Sequence, residues 1–117
     1  MTTPISTQPG ELPTTISTFL TAQSARDRDA ALATFTPTAV VVDDGHTFEG
    51  SDAIATFLSD AGAEFTYTDE LVGAERTDDA HWVTTHRLEG DFPGGVVELR
   101  YSFTLADGLI AALVIAP

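Results

Sequence analysis

Ala39-Val40-Val41-Val42-Asp43-Asp44-Gly45-His46-Thr47-Phe48-Glu49-Gly50 decides how the rest of the chain reads. Consecutive Val residues favour a strand, because β-branched side chains fit a pleated surface. The apolar run does not alternate with polar residues, so both faces of the strand must be covered. It then stops at adjacent carboxylates. Neighbouring strand residues point to opposite faces. One carboxylate therefore looks into the core while the other looks to water. The chain turns through Gly45, and Gly50-Ser51-Asp52 reads as the start of a helix with Ser51 as its cap.

Upstream, residues 1–11 are rich in Thr, Ser, Pro and Gly and read as a flexible tail. A single domain is expected over 12–117. A helix begins near Leu12-Pro13, since Pro suits a first helical turn. Leu12, Ile16, Phe19, Leu20 and Gln23 share one of its faces. Asp27 or Asp29 caps a second, short helix running from Ala30 to Phe35, and Pro37 stops it. Downstream of the Val strand, Ile54, Phe57 and Leu58 form the apolar face of a helix that Gly62 closes. The period then becomes that of strands. Phe65, Tyr67, Asp69 and Leu71 alternate with Thr66, Thr68, Glu70 and Val72. Strands follow over His81–Glu89, Val96–Leu105 and Leu109–Ile115. They are joined by a Gly/Pro loop at 90–95 and by the tight-turn pair Asp107-Gly108. Helices first and an antiparallel run later argue an α+β fold with helices on one face of the sheet.

Composition narrows the partners. The 117 residues carry 5 Lys+Arg against 18 Asp+Glu, a formal net charge of -13. Nucleic acid and anionic membrane surfaces are poor partners for such a chain, because contacts to phosphate need cations. With no cysteine there is no thiolate catalysis and no thiolate-bound zinc. The three His residues lack metal-ligand spacing, so no metal or other cofactor is expected. No apolar run reaches the length of a membrane span, and the first residues lack the basic-then-apolar order of a secretory signal. The expected location is cytoplasmic.

Several segments together carry a family resemblance. They are the helix pair with its Arg-Asp linker, Phe35-Thr36-Pro37-Thr38-Ala39-Val40-Val41-Val42, Phe48-Glu49-Gly50-Ser51-Asp52-Ala53-Ile54 and Ala106-Asp107-Gly108-Leu109-Ile110. With these the chain resembles the SnoaL-like branch of the nuclear transport factor 2-like superfamily. The resemblance implies a cone-shaped, strongly curved, mostly antiparallel sheet wrapped around N-terminal helices, with a pocket inside the cone. It also implies homodimers formed through the sheet. Family members include ketosteroid isomerases, polyketide cyclases, dehydratases, epoxide hydrolases and non-catalytic binders, so fold alone does not choose among them.

Turn chemistry sets a register for the last strands. Trp82 is expected opposite Phe103, Thr84 opposite Tyr101, and His86 opposite Leu99, all on the concave face. Arg87, Glu89, Glu98, Arg100 and Ser102 take the other face. The pocket candidates are then Asp43, Tyr101 and His86 for chemistry, and Phe19, Trp82, Thr84, Leu99 and Phe103 for binding. A cavity of aromatics with a few polar groups suits a small, largely apolar molecule. The resemblance to ketosteroid isomerases places Asp43 where their catalytic carboxylate stands, and Tyr101 near their acidic oxyanion donor. The helix position of their donor Tyr is Phe19 here. Asp43 is therefore expected to act as a base, with Tyr101 or His86 stabilising an enolate oxygen. The alternative is a binding or dimerisation module of the same fold without chemistry.

Overall fold

Asp44 and Gly45 turn the Val strand straight back on itself. In the computed structural model their φ angles are 52° and 76°. That pair of left-handed residues makes a two-residue type I′ turn, whose twist suits a hairpin. The strand before it is β2 (Phe35–Asp43) and the strand after it is the short β3 (His46–Glu49). Val40 faces Glu49 and Asp43 faces His46 across the hairpin. The expected turn-to-helix passage is corrected here. The Asp-Gly pair makes a hairpin first, and α3 (Gly50–Asp60) follows only after β3.

The structure describes residues 5–6, 12–60 and 66–117. The expected flexible tail lies outside these residues except for Ile5–Ser6. That pair forms β1, antiparallel to β4 (Tyr67–Arg76). The expected closing Gly62 and the strand residue Phe65 also lie outside them.

Helix α1 (Thr14–Ser24) buries Ile16, Phe19 and Ala22. It ends in a Schellman pair, with Arg26 N–H donating to Gln23 O (3.1 Å) and Asp27 N–H to Ala22 O (2.8 Å). Helix α2 (Arg28–Leu32) starts at once, and the Asp27 carboxylate caps it by accepting from Ala30 N–H. The expected helix through Phe35 is corrected, because Phe35 already pairs with Ile110 as the first residue of β2. Between Phe35 and Val40 the pairing of β2 shifts register. Pro37, which has no N–H to offer a ladder, falls in that irregular stretch.

The other strands are β5 (His81–Gly90), β6 (Val96–Ala106) and β7 (Leu109–Ala116). They run in the order β1-β4-β5-β6-β7-β2-β3, antiparallel except that β2 lies parallel to β7. β1 and β3 are free edges, so the sheet does not close into a barrel. In β5 and β6, Trp82 faces Phe103, Thr84 faces Tyr101 and His86 faces Leu99, the register predicted from the turns. Thr84, His86, Tyr101 and Phe103 are buried, whereas Arg87, Glu89, Glu98, Arg100 and Ser102 are exposed. Strand β4 carries a bulge, since Leu71 pairs with His86 and Gly73 with Thr85, leaving Val72 unmatched. The extra residue switches the parity of the strand. Asp69 and Leu71 turn inward before it, and Ala74 and Arg76 after it.

Helix α1 crosses the concave face. Phe19 is fully buried, edge-on to Phe35 at 5.5 Å and to Phe103 at 5.8 Å. Ile16, Ile54, Ile110 and Leu113 complete this dry layer.

Candidate functional site

A cavity of about 250 Å³ lies beside that layer on the concave side. Its apolar wall comes from Phe57 of α3, Leu88, Val97 and Leu99 of the sheet, and Ile115 of β7. Phe92 and Tyr67 flank it and meet edge-to-face at 6.5 Å. Besides Tyr67, the polar side chains that reach it are Gln23, Asp43 and Tyr101.

Register explains why Asp43 and Tyr101 share this cavity. Tyr101 pairs with Ile115 on β7, and Ile115 pairs with Asp43 on β2. Paired residues point to the same face, so the three form one row across the sheet. At ordinary strand spacing the backbones of Asp43 and Tyr101 stand about 10 Å apart, with Ile115 between them.

Asp43 is half-buried, and burial pushes its carboxyl above the usual carboxylate range. The like charge of Asp44 adds to this rise, and His46 across the hairpin opposes it. Tyr101 is 4% exposed, and its phenol is also pushed up well above the ordinary value. Burial is the main cause, followed by the charges of Asp69, Tyr67 and Asp43; the Gln23 side chain works the other way. The phenol therefore keeps its proton, and it enters the cavity as a hydrogen-bond donor. A carboxylate of raised proton affinity and a fixed O–H in an apolar cavity are parts suited to moving a proton while holding an oxygen.

His86 sits elsewhere. It is 2% exposed, and both ring nitrogens are engaged: Nδ1 lies 2.9 Å from Asp69 Oδ1 and Nε2 lies 2.8 Å from Thr84 Oγ1. A carboxylate only accepts, so Nδ1–H donates to Asp69, and in the neutral ring Nε2 accepts from the Thr84 hydroxyl. The imidazole packs on the Tyr101 ring at 4.4 Å and is not on the cavity wall. His86 therefore stands off this cavity: Asp69, brought inward ahead of the β4 bulge, and Thr84 hold it against Tyr101.

Of the expected binding residues, Leu99 alone lines the cavity. Phe19 and Phe103 are in the dry layer, and Thr84 is spent on His86. Trp82 packs against that layer, with the Arg76 guanidinium 5.8 Å from its ring. These four do not line the cavity.

Gln23, Tyr67, Phe57, Leu88 and Ile115 are not among the expected site residues, whereas strand parity puts Val97 on the concave face and the 90–95 loop puts Phe92 at the cone mouth. A usable signal existed for Gln23, a polar residue closing the apolar stripe of α1, and for Phe92, an aromatic in a Gly/Pro loop. That loop is tied down by Asp91, whose Oδ1 accepts from Thr66 N–H at 2.8 Å and whose N–H donates to Thr66 O at 3.1 Å. Gly90 makes this approach feasible, because a Cβ there would lie 2.3 Å from Thr66 O and 2.5 Å from Tyr67 Cβ. Gly90→Ala is expected to cost about 1–3 kcal/mol through overpacking and to move Tyr67 off the cavity wall. Thermal melts combined with ligand titration check this, and an unchanged melting temperature would contradict it.

No grouping of three or more His, Asp or Glu able to hold a metal occurs among the described residues. Of the other histidines, His81 is bonded to Asp78 at 2.8 Å, and His46 is exposed at the hairpin.

The model of the SnoaL-like domain matches residues 16–113, which span both sides of the cavity. The chain belongs to the SnoaL-like family. A candidate polyketide cyclase from Sinorhizobium meliloti shares 35% identity and superposes with a TM-score of 0.86, over 94% of this chain and all (100%) of that one. A protein of ketosteroid isomerase-like fold from Catenulispora acidiphila, solved with trimethylamine, is 16% identical over 90% of this chain and 85% of its own, with a TM-score of 0.77. A computationally designed 17-OHP binder is 18% identical over 88% of each chain, with a TM-score of 0.71. The last two show likeness of fold. No curated protein matches. The SnoaL-like family is known for polyketide cyclase and isomerase activity on small molecules. Among the described residues no helix is long and apolar enough to cross a membrane.

Proposed function

We propose that this SnoaL-like chain binds a small, largely apolar molecule in the cavity and transfers a proton on it, as an isomerase, cyclase or dehydratase does. Asp43 is the base, and the Tyr101 O–H holds the oxygen on which charge develops. One observation carries the reading. Asp43, its carboxyl raised chiefly by desolvation, opens onto a mostly apolar cavity that also receives a protonated phenol. The likeness to a candidate cyclase at 35% identity supports it.

The reaction class is testable without the natural substrate. 2-Tetralone is a small apolar ketone with acidic C–H bonds. Its deuterium exchange, followed by NMR, should run faster with the protein than in buffer. Binding of 2-tetralone without any acceleration would favour the second reading, a non-catalytic binder. That reading draws on Phe19 and His86, since neither offers a free donor to the cavity.

A homodimer through the outer face of the sheet and a cytoplasmic location belong to the same proposal. Val72, Val96 and Val114 are exposed on β4, β6 and β7. Sedimentation at several concentrations should show association, and a monomer throughout would remove the dimer.

A further inference from the structure

Arg26 stands where the chain has reason to prefer glycine. It is the left-handed residue of the Schellman turn after α1, with φ 57°. The other non-glycine residues of positive φ among those described are Asp44 and Asp107, both in tight turns. Asp tolerates the left-handed region through local hydrogen bonds, whereas Arg has no such compensation. A residue that strains the backbone and is nonetheless in place points to a use for its side chain.

The guanidinium lies over the Tyr67 ring, 5.5 Å from its centre. Tyr67 and Gln23 line the apolar cavity, and with Arg26 they also line a neighbouring notch of about 360 Å³. Arg26 is thus at the shared edge of the two. Stacking on a ring leaves the in-plane N–H donors of Arg free. Among the described residues Arg26 has no carboxylate partner, in a chain of net charge -13. The acids that share these recesses with Arg26 have partners of their own. Asp27 caps α2, Asp29 pairs with Arg28 at 3.5 Å, and Asp69 holds His86.

We propose that Arg26 makes the site selective for apolar ring compounds that carry a carboxylate. The ring fills the cavity and the carboxylate meets the guanidinium at its mouth. The inference rests on the cavity being the ligand site, and it deepens that reading by naming a ligand class.

Two probes of similar shape test it: 2-naphthoate, and the uncharged 2-acetylnaphthalene. The wild-type protein should bind the carboxylate about tenfold more tightly, and added salt should shrink the difference. Arg26→Gln should bind both probes alike, with its affinity for the ketone unchanged. Arg26→Gly relieves the strained turn, so it should melt no lower than the wild type and still lose the preference. Leu99→Trp, which fills the cavity, should lose both probes. Equal wild-type affinities, or a preference that survives in Arg26→Gly, would overturn the role of Arg26 alone. Naphthoate binding that survives Leu99→Trp would place the anion outside the cavity and also overturn it. Failure of the wild type to bind the ketone would overturn the cavity reading, and the role of Arg26 with it.

Discussion

Asp43→Asn is expected to slow deuterium exchange of 2-tetralone by about 10²–10⁴-fold, the usual contribution of a positioned general base. Affinity for the ketone should hardly change, because Asn keeps the shape and polarity of the side chain. The loss should therefore fall on turnover rather than on binding. Since burial raises the Asp43 carboxyl, the wild-type rate should climb with pH through a value above 3.8, the ordinary value for Asp. Stability should move in the opposite direction. Below the ordinary value the carboxyl is protonated in folded and unfolded chains alike, and it costs nothing. As pH rises past 3.8 the unfolded chain ionises first, so the folded state loses stability until the buried carboxyl ionises as well. Asn removes that loss. The variant should match the wild type in acid and melt at least as high at neutral pH. Exchange at wild-type rates in Asp43→Asn would end the assignment, whatever the melts show.

Phe19→Ala is expected to remove about 3–5 kcal/mol of stability, the cost of emptying a buried aromatic site. Total stability of a domain this size is about 5–15 kcal/mol, so the variant should be largely unfolded or melt far lower. Phe19 is fully buried, and it is the ring that joins Phe35 to Phe103. Nothing on α1 can collapse into that space without moving the helix off the sheet. Phe19→Tyr is a milder probe. Its hydroxyl would enter a dry layer away from the cavity, leaving an unpaired polar group at a cost of about 1–3 kcal/mol, and it should not speed the exchange reaction. Urea melts of both variants check these values. A Phe19→Ala protein of near-normal stability would show that the α1 contact is not central to the core.

Much of the fold is legible in local sequence. The Gly/Pro loop at 90–95 fixes the register of β5 and β6, because a turn of given length admits few pairings, whereas the pairing of β6 with β7 that starts at Asp107-Gly108 shifts by one residue between Thr104 and Leu105. The same chemistry at Asp44-Gly45 marks a hairpin, but the expected Ser51 cap is misplaced, since α3 already includes Gly50, and the four residues of β3 are too few to announce themselves. Phe35 illustrates a different limit. Its helical spacing from Leu32 is real, yet its pairing with Ile110, far along the chain, outweighs it. The bulge at Val72 leaves no mark in an alternating stretch, and it determines that Asp69 turns inward to His86.

The site divides in the same way. Strand parity narrows the inward carboxylate to Asp43 or Asp44, and the resemblance to ketosteroid isomerases favours Asp43. The sequence also determines the acid balance, the α+β class and which strand residues share the concave face, since all of these follow from residue type and a period of two. Tertiary structure alone decides which of those residues meet a ligand. Phe19 of α1 packs on Phe103, the parallel contact of β2 with β7 sets Asp43 in a row with Ile115 and Tyr101, and Gly90 lets the loop bring Phe92 over the remaining gap. These are contacts between segments distant in the chain. A cavity is the space that such contacts leave unfilled, and no local pattern of residues encodes it.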